Sequence, residues 1–332
     1  MKQTVGVDIA KDKFDCCLLG LETEKHAQFP NTPRGFKQLM RWLDKEKAAA
    51  DQVQACMEAT GIYGEALLEF LFEAKVAVAK VNPAQIKHYA RSLLTRNKTD
   101  RLDARLIAQF AQERFAKGQL RLWSPPSPEV ARLRALNRLL GARKEQLARE
   151  RRRAAMVPKC LRHHTAAMMR SFGKQIGQIQ AQIDELIAAS PELARKRQLL
   201  GSIPCVGVVT AQTVLAELPS DISSARAAAA YAGLSPQRAD SGEKKGRGRL
   251  SKTGNPHLRQ AFYMPAVVAR RRNARVQALS ERLEQRGLTT GQIIGAGMHL
   301  LLRLCYGVIA SGQPYDSSWE ENRRKNAAPA RA

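Results

Sequence analysis

The stretch TVGVDIAKDKFDCCLLG, residues 4–20, predicts two strands joined by a short turn. Apolar and polar side chains alternate along its first part, which is the period of a strand with one buried face. Asp8 interrupts the apolar run of the first strand, and burying a carboxylate without a partner is costly. We therefore expect a cation close to Asp8.

Strands and helices continue to alternate after this stretch. The segments HAQFP, DQVQACMEATG and KVAVAKVNP predict three further strands, and RGFKQLMRWLDKE has the spacing of an amphipathic helix. Further helices are predicted at residues 63–74, 85–94 and 100–112. Strands followed by alternating helix and strand favour an α/β domain with a mixed sheet, and we assign residues 1–122 to it.

The stretch WSPPSPEV, residues 123–130, is rich in proline and serine and predicts a domain boundary. After it, the chain is predicted to be helical and strongly basic. Two helices each carry an apolar seam at helical spacing, formed by Leu133, Leu136 and Leu140 in the first and by Ile176, Ile179, Ile183 and Leu186 in the second. This pattern indicates a helical hairpin, a dimer contact or ordinary bundle packing. We assign residues 123–198 to this helical, coiled-coil connector, residues 199–318 to a mainly helical domain and residues 319–332 to a disordered tail.

The charge of the chain is lopsided, with 55 Lys and Arg against 30 Asp and Glu and a formal net charge of +25. Such an imbalance attracts polyanions, of which nucleic acid is the commonest. A basic protein of the membrane surface would instead carry an amphipathic anchor or a lipidation motif, and we find neither in the sequence.

The sequence also indicates the compartment. We expect no signal peptide, and no apolar run that approaches the length of a membrane span. The six cysteines form no CxxC pair and no His/Cys cluster at zinc spacing. We interpret them as reduced thiols of a cytoplasmic, nucleoid-associated protein.

Three more carboxylates accompany Asp8. In NKTDRLDARLIAQF, residues 97–110, Asp100 and Asp103 lie three residues apart on one helix face. At about 5 Å and an effective dielectric near 20, they repel each other by about 3 kcal/mol. Glu58 ends the strand DQVQACMEATG. Four hard oxygen ligands predict Mg²⁺ or Mn²⁺, and two such ions stabilise both oxygens of a phosphodiester displacement.

Each of these acids also has a simpler interpretation. Asp100 and Asp103 suit the first turn of a helix capped by Thr99, and Asp8 and Glu58 suit ion pairs with Lys11 or Lys98. The order of the four acids over strands and helix is that of RNase H-like nucleases. Sugar kinases and actin-like ATPases begin with a similar strand, but we do not find the glycine-rich phosphate and adenosine loops that they need.

Two segments of the second half suit phosphate binding. SIPCVGVVTAQTVLAEL, residues 202–218, is similar to a helix-hairpin-helix motif, whose backbone N–H groups near Gly207 would grip a phosphate. A structural turn is the alternative, and Cys205 stands where such hairpins carry glycine. Further along, a glycine-broken segment is crowded with cations that suit a phosphate clamp. The candidate nucleic-acid contacts are Lys98, Gly207, Arg238, Lys244, Lys245, Arg247, Arg249, Lys252 and Arg259.

The basic segment also contains two hydroxyl groups, those of Ser241 and Ser251. A serine beside a glycine is usually an ordinary loop residue. As a nucleophile on phosphorus, it needs a base or a metal to take its proton and cations to hold the phosphate. The segment supplies the cations.

Several of these motifs together resemble one protein family. GVDIAKDKFD, MEATGIYGE, RNKTDRLDARLIA, SIPCVGVVTA and AAYAGLSPQRADSGEKKGRGRLSKTGNPHLRQAFYMPA resemble the DEDD transposases of bacterial insertion sequences, also called bridge-RNA-guided recombinases. The resemblance runs from about residue 5 to residue 314, and Cys205 is the one departure. It implies an RNase H-like (RuvC-like) domain followed by a transposase domain.

The resemblance also implies a mechanism. The metal-binding tetrad would be Asp8, Glu58, Asp100 and Asp103, and the nucleophile would be Ser241, which forms a phosphoserine link to DNA. Two dimers would form a tetramer on donor and target DNA, with a structured RNA that chooses the sequence, and one subunit would complete the serine site of another. The alternatives are a RuvC-like nuclease or resolvase that uses water, with Ser241 structural, and a nucleic-acid-binding scaffold without catalysis.

Overall fold

The computed structural model describes residues 3–20, 22–58, 61, 63–93, 99–237, 248–316 and 318. The chain divides into two compact units, Met1–Pro125 and Pro126–Ala332. The domain limits expected from the sequence stay a prediction, and each unit is described by itself.

The first unit is built on a mixed sheet. Its strands are β1 (Gln3–Ile9), β2 (Lys13–Leu19), β3 (Glu24–Pro30), β4 (Val53–Glu58) and β5 (Ala77–Val81). They lie in the order β3-β2-β1-β4-β5. β2 is antiparallel to β1 and β3, whereas β4 is parallel to β1 and β5. This sheet confirms the predicted mixed α/β class and is consistent with an RNase H-like domain.

Helices cover both faces of the sheet. They are α1 (Pro33–Lys45), α2 (Glu65–Glu73), α3 (Pro83–Ser92) and α4 (Asp100–Ala116), with a short 3₁₀ turn at Ala50–Gln52. Val5, Val7 and Ile9 of β1 pack in one core with α1 and α2. Because side chains alternate along a strand, Gly6 and Asp8 lie on the opposite face, under α4.

Gly6 lets helix α4 lie directly on β1. A Cβ atom at residue 6 would stand 2.3 Å from the carbonyl oxygen of Ala104 and 2.3 Å from the backbone nitrogen of Ala108. Real Cβ atoms do not approach backbone atoms so closely, so only glycine permits this contact. The contact brings the first turn of α4 towards the end of β1 that carries Asp8.

The second unit is mainly helical, as predicted. It contains α5 (Pro128–Ala154), α6 (Arg162–Ala189), α7 (Pro191–Gly201), α8 (Val208–Glu217), α9 (Ala225–Tyr231), α10 (Pro256–Ala261), α11 (Tyr263–Arg272), α12 (Ala274–Gln285) and α13 (Thr290–Ser311). A 3₁₀ turn at Lys159–Leu161 precedes α6, and the short strands β6 (Pro236–Gln237) and β7 (Arg249–Leu250) pair with each other.

Helices α5 and α6 pack as a hairpin. Leu133 and Leu140 of α5 and Ile179 and Ile183 of α6 are buried, which confirms the predicted apolar seam. The same hydrophobic cluster continues into α7–α13. The hairpin is therefore joined to the C-terminal helices by a shared core.

Helix α13 corrects one expectation. It is long and apolar enough, by length and composition, to cross a membrane, so the expectation that no apolar run approaches that length is wrong. Leu301, Leu302 and Cys305 of this helix are fully buried within the core of the second unit. A helix that is surrounded by other helices is apolar on most sides for the same reason as a membrane span. We interpret α13 as the central core helix of its unit.

Candidate active site

The sheet brings Asp8 and Glu58 to neighbouring positions. In the parallel pairing of β1 with β4, Val7 is the partner of Met57, and the two acids are the next residues of their strands. Cys56 packs against Ile107 on the α4 face of the sheet. Glu58, two residues further along the strand, shares that face, as does Asp8.

Helix α4 contributes Asp100 and Asp103. The side chain of Thr99 accepts a hydrogen bond from the backbone nitrogen of Leu102 (3.2 Å) and caps the helix, as the sequence predicted. Asp100 is the first residue of the helix, one turn before Ala104, which contacts Gly6. Acids in the first turn are favoured by the helix dipole, so the capping role and a role in a site are compatible.

The four acids, all among the described residues, lie near one another, although no three of them place carboxylate oxygens within 4.8 Å of each other. The pKa of Asp8 is raised from 3.8 to about 6, first by burial and then by the charges of Asp103, Glu58 and Asp100. The negative potential of the other three carboxylates therefore acts on Asp8. We call Asp8, Glu58, Asp100 and Asp103 the acidic cluster.

Two residues of β2 that we did not single out from the sequence belong beside this cluster. Asp15 is the cross-strand partner of Asp8. The ammonium of Lys13 lies 2.9 Å from Asp100 Oδ2 and 3.7 Å from Asp15 Oδ2. The hydrogen bond to Asp100 raises the pKa of Lys13. Side chains alternate along a strand, so the sequence places Lys13 and Asp15 on the same face of β2. Which residues of β1 they face depends on the strand register.

Lys13 is a cation that pairs with Asp100 of the acidic cluster. Ion pairs of Asp8 and Glu58 with Lys11 or Lys98 stay a prediction. Lys98 lies outside the described residues. The pKa of Asp8 remains raised although Lys13 is present, so repulsion persists within the cluster. The donors are all carboxylate oxygens, which are the ligands of hard divalent cations. The residues therefore fit such a cation, which the acidic cluster would hold.

A second group of metal-type side chains lies on β2 and β3. The strand register brings Cys17 Sγ to 3.8 Å from His26 Nε2, which is 2.8 Å from Glu24 Oε1. The absence of zinc spacing in the sequence therefore did not exclude a Cys/His cluster in space. Glu24, however, also pairs with Arg105 Nε at 3.1 Å.

Three features argue against a metal in that second group. Burial raises the pKa of the Cys17 thiol to about 12, which favours its protonated form. The buried Nδ1 of His26 has no hydrogen-bond partner among the described residues, whereas metal-bound imidazoles usually donate from the second nitrogen. Glu24 already has two partners. We interpret the group as an ion-paired cluster at the edge of the sheet; all six cysteines of the chain are free.

The hairpin-like motif of the second unit forms a tight turn between α7 and α8. Cys205 adopts a φ of 76°, in the left-handed region that favours glycine, so the turn forms at the cost of backbone strain. Gly207 is the N-cap of α8. Val208 and Val209, which follow it, are 60% and 53% exposed, so this end of α8 is accessible to a ligand. Phosphate binding at Gly207 stays a prediction.

The basic segment is described only at its two ends. Ser241 and four of the predicted contacts, Arg238, Lys244, Lys245 and Arg247, lie outside the described residues. β6 and β7 pair Gln237 with Arg249 and so hold the two ends together. Arg259, another predicted contact, donates from Nη1 to the carbonyl oxygen of Ala232 (3.1 Å), which is a structural role.

We predict that replacing Asp8 with asparagine stabilises the metal-free protein. The folded-state pKa of about 6 lies above the ordinary 3.8, so ionisation of Asp8 costs folding free energy as the pH rises through this window. With allowance for solvent screening, we expect a gain of about 1–2 kcal/mol at neutral pH. Thermal unfolding in EDTA measures it, and the gain should vanish below about pH 4.

A matched control is Asp44→Asn, which changes an exposed aspartate of α1 and should leave the unfolding temperature unchanged. Mn²⁺ should raise the unfolding temperature of the wild type and of Asp44→Asn, but not that of Asp8→Asn. An Asp8→Asn protein that is less stable than the wild type in EDTA would contradict repulsion within the acidic cluster.

Comparison with known proteins agrees with these features. Residues 5–157 match the DEDD transposase model of the IS110 family, and residues 197–281 match the model described as transposase, IS116/IS110/IS902 family. The chain is 35% identical to the pilin gene-inverting proteins of Moraxella bovis and Moraxella lacunata over 324 residues, which is 96% of this chain and 99% of each relative. The first match contains the whole acidic cluster, and the second contains Gly207 and the basic segment. The chain therefore belongs to the IS110 family of transposases, enzymes that act on DNA.

Proposed function

We propose that this chain is an RNA-guided DNA recombinase of an insertion sequence, which cuts and rejoins donor and target DNA through a phosphoserine intermediate. The observation that supports the proposal is that the charges of Glu58, Asp100 and Asp103 all act on Asp8 and raise its pKa. Mg²⁺ or Mn²⁺, when bound, would supply Lewis-acid stabilisation of the attacking and leaving oxygens.

The other steps of the proposed reaction are assigned to residues of this chain. The acidic cluster holds the cation, and Lys13 balances part of its charge beforehand. Ser241 attacks the phosphorus atom, its proton passes to a base, and the bond from phosphorus to the leaving deoxyribose oxygen breaks. The cations Arg238, Lys244, Lys245, Arg247, Arg249 and Lys252 hold the phosphate oxygens. Attack by a hydroxyl of the other DNA then releases the serine, so no external energy source is needed.

The relatives support the same class of reaction. Their name describes the inversion of a pilin gene. Inversion requires that DNA strands are cut, exchanged and rejoined, which is the chemistry proposed for this chain. Action on the DNA of the cell is also the basis for the expected cytoplasmic, nucleoid-associated location.

We predict that Asp103→Asn abolishes strand exchange and leaves nucleic-acid binding intact. The change removes one charged oxygen from the acidic cluster but keeps the side-chain shape, and we expect a loss of about 100-fold or more. Exchange of labelled donor and target DNA with Mg²⁺, beside a binding assay, measures both effects. Asp44→Asn is again the matched control, and full activity of Asp103→Asn would remove Asp103 from the site.

Ser241→Ala tests the nucleophile. We expect no covalent protein–DNA adduct on denaturing gels, because the alanine side chain has no oxygen to attack phosphorus. Ser251→Ala, in the same segment, should still form the adduct. An adduct that persists in Ser241→Ala would exclude Ser241 as the nucleophile. Metal-dependent cleavage by the wild type without any adduct would favour the RuvC-like nuclease or resolvase that uses water.

The RNA partner and the tetramer are separate parts of the proposal. The net charge of +25 suits a protein that binds two kinds of polyanion. RNA pairing would also supply sequence choice without base-reading protein motifs. We expect the purified complex to contain a discrete RNA and, once donor and target DNA are added, a mass equal to four chains plus the bound RNA and DNA. Sequencing of the RNA and mass measurement test both, and binding without cleavage would favour the non-catalytic scaffold.

A further inference from the structure

A buried carboxylate links three parts of the second unit. Glu217, the last residue of α8, is 1% exposed. Arg138 of α5 donates from Nε to Glu217 Oε1 (2.7 Å) and from Nη2 to Glu217 Oε2 (3.0 Å). Asn255 donates from Nδ2 to Glu217 Oε2 at 2.8 Å. One carboxylate thus joins the helical hairpin, α8 and the segment before α10.

The carboxylate of Glu217 is charged in this setting. Burial is the strongest single influence and by itself would raise the pKa, but the hydrogen bonds from Arg138 and Asn255 hold the pKa below its ordinary value. A buried ion pair adds little net stability compared with apolar residues of similar size. It does fix the relative orientation of the groups that it joins, because each carboxylate oxygen accepts its hydrogen bonds at a defined geometry.

Asn255 connects the Glu217 carboxylate to the backbone through hydrogen bonds. Its Oδ1 accepts hydrogen bonds from the backbone nitrogens of His257 (2.9 Å) and Leu258 (3.1 Å) and caps α10. Its own backbone nitrogen donates to the carbonyl oxygen of Tyr231 at 2.7 Å. Both ends of the Asn255 amide are therefore engaged, so the side chain cannot turn without breaking a bond.

Backbone hydrogen bonds also join the two stretches of chain that flank the basic segment. Lys252 donates from its backbone nitrogen to the Gly233 carbonyl (3.0 Å), and Ser251 donates to the Ser235 carbonyl (2.9 Å). Gly254 has a φ of 153°, and a Cβ atom there would stand 2.3 Å from the Tyr231 carbonyl oxygen. We call residues 231–237 and 248–255, with these contacts, the loop base.

We infer that Glu217 is a positioning residue for strand exchange, which orients the loop base relative to the hairpin helix α5 through Arg138 and Asn255. The chain between Gln237 and Gly248 contains Ser241, so the loop base fixes the backbone at both ends of the stretch that carries the proposed nucleophile. The hairpin is further tied to α8 by Arg134, whose Nε donates to the Ala216 carbonyl at 2.8 Å. The inference rests on the proposed role of Ser241.

A swap of donor and acceptor tests this link. Glu217→Gln leaves one acceptor oxygen and puts an NH₂ donor in place of the other, so at least one of the bonds from Arg138 and Asn255 is lost. Asn255→Asp places two carboxylates against each other and breaks the Glu217–Asn255 bond. In the double variant Glu217→Gln/Asn255→Asp, the glutamine donates and the aspartate accepts, while the aspartate can still cap α10. The bond is then restored with its polarity reversed.

We expect each single variant to lose about 10- to 100-fold in strand exchange and in adduct formation by Ser241, with DNA affinity unchanged. The double variant should recover most of this loss. Glu284→Gln is the matched control, because it makes the same change in a pair with Arg270 (2.5 Å) on α11 and α12, outside the loop base. This control should keep wild-type activity.

The outcomes separate the inference from the proposed function. Single variants with wild-type exchange would overturn the inference, and so would a double variant as inactive as the singles, since Glu217 would then be a packing residue. If the folded wild type forms no adduct, the proposed function fails. The connection between Glu217 and the loop base is still measurable in that case. Glu217→Gln, but not Glu284→Gln, should speed amide hydrogen exchange at Ser251, Lys252 and Asn255. Unchanged amide hydrogen exchange at these residues would overturn the inference.

Discussion

The backbone contact between Gly6 and helix α4 is the constraint on which the acidic cluster depends. A side chain at residue 6 would collide with backbone atoms of Ala104 and Ala108, so glycine lets the helix lie directly on the central strand. The first turn of α4 then meets the ends of β1 and β4. Because of this contact, two strands and one helix from three separate parts of the chain bring carboxylates near Asp8.

The acidic cluster carries an excess of negative charge, and the basic segment carries an excess of positive charge. The cluster concentrates negative charge in a chain of net charge +25, and the raised pKa of Asp8 shows that the cost is not fully offset. Lys13 offsets part of it. Such unresolved repulsion is characteristic of functional sites, where a ligand rather than the fold supplies the missing charge. The basic segment has the converse need, which phosphate groups would meet.

The second unit contains backbone conformations that are costly in isolation next to its predicted phosphate-binding segments. Cys205 and Lys252 adopt positive φ values although neither is glycine. Both lie at turns next to segments that the sequence associates with phosphate binding. Packing of α13 in the core, together with the bonds of Glu217, provides the rigid surroundings that keep such turns in place. Strain at these turns is thus maintained by interactions elsewhere in the unit.

The sequence by itself determined the order of strands and helices in the first unit and its mixed α/β class, and it singled out the four acids as candidates, because strand alternation and the cap at Thr99 are local signals. It did not reveal Lys13 and Asp15 beside Asp8, or the bonds around Glu217, because these depend on strand register and on contacts between distant residues. It also could not show that α13 is a core helix. An apolar helix has the same composition in a protein core as in a membrane, and only tertiary packing distinguishes the two.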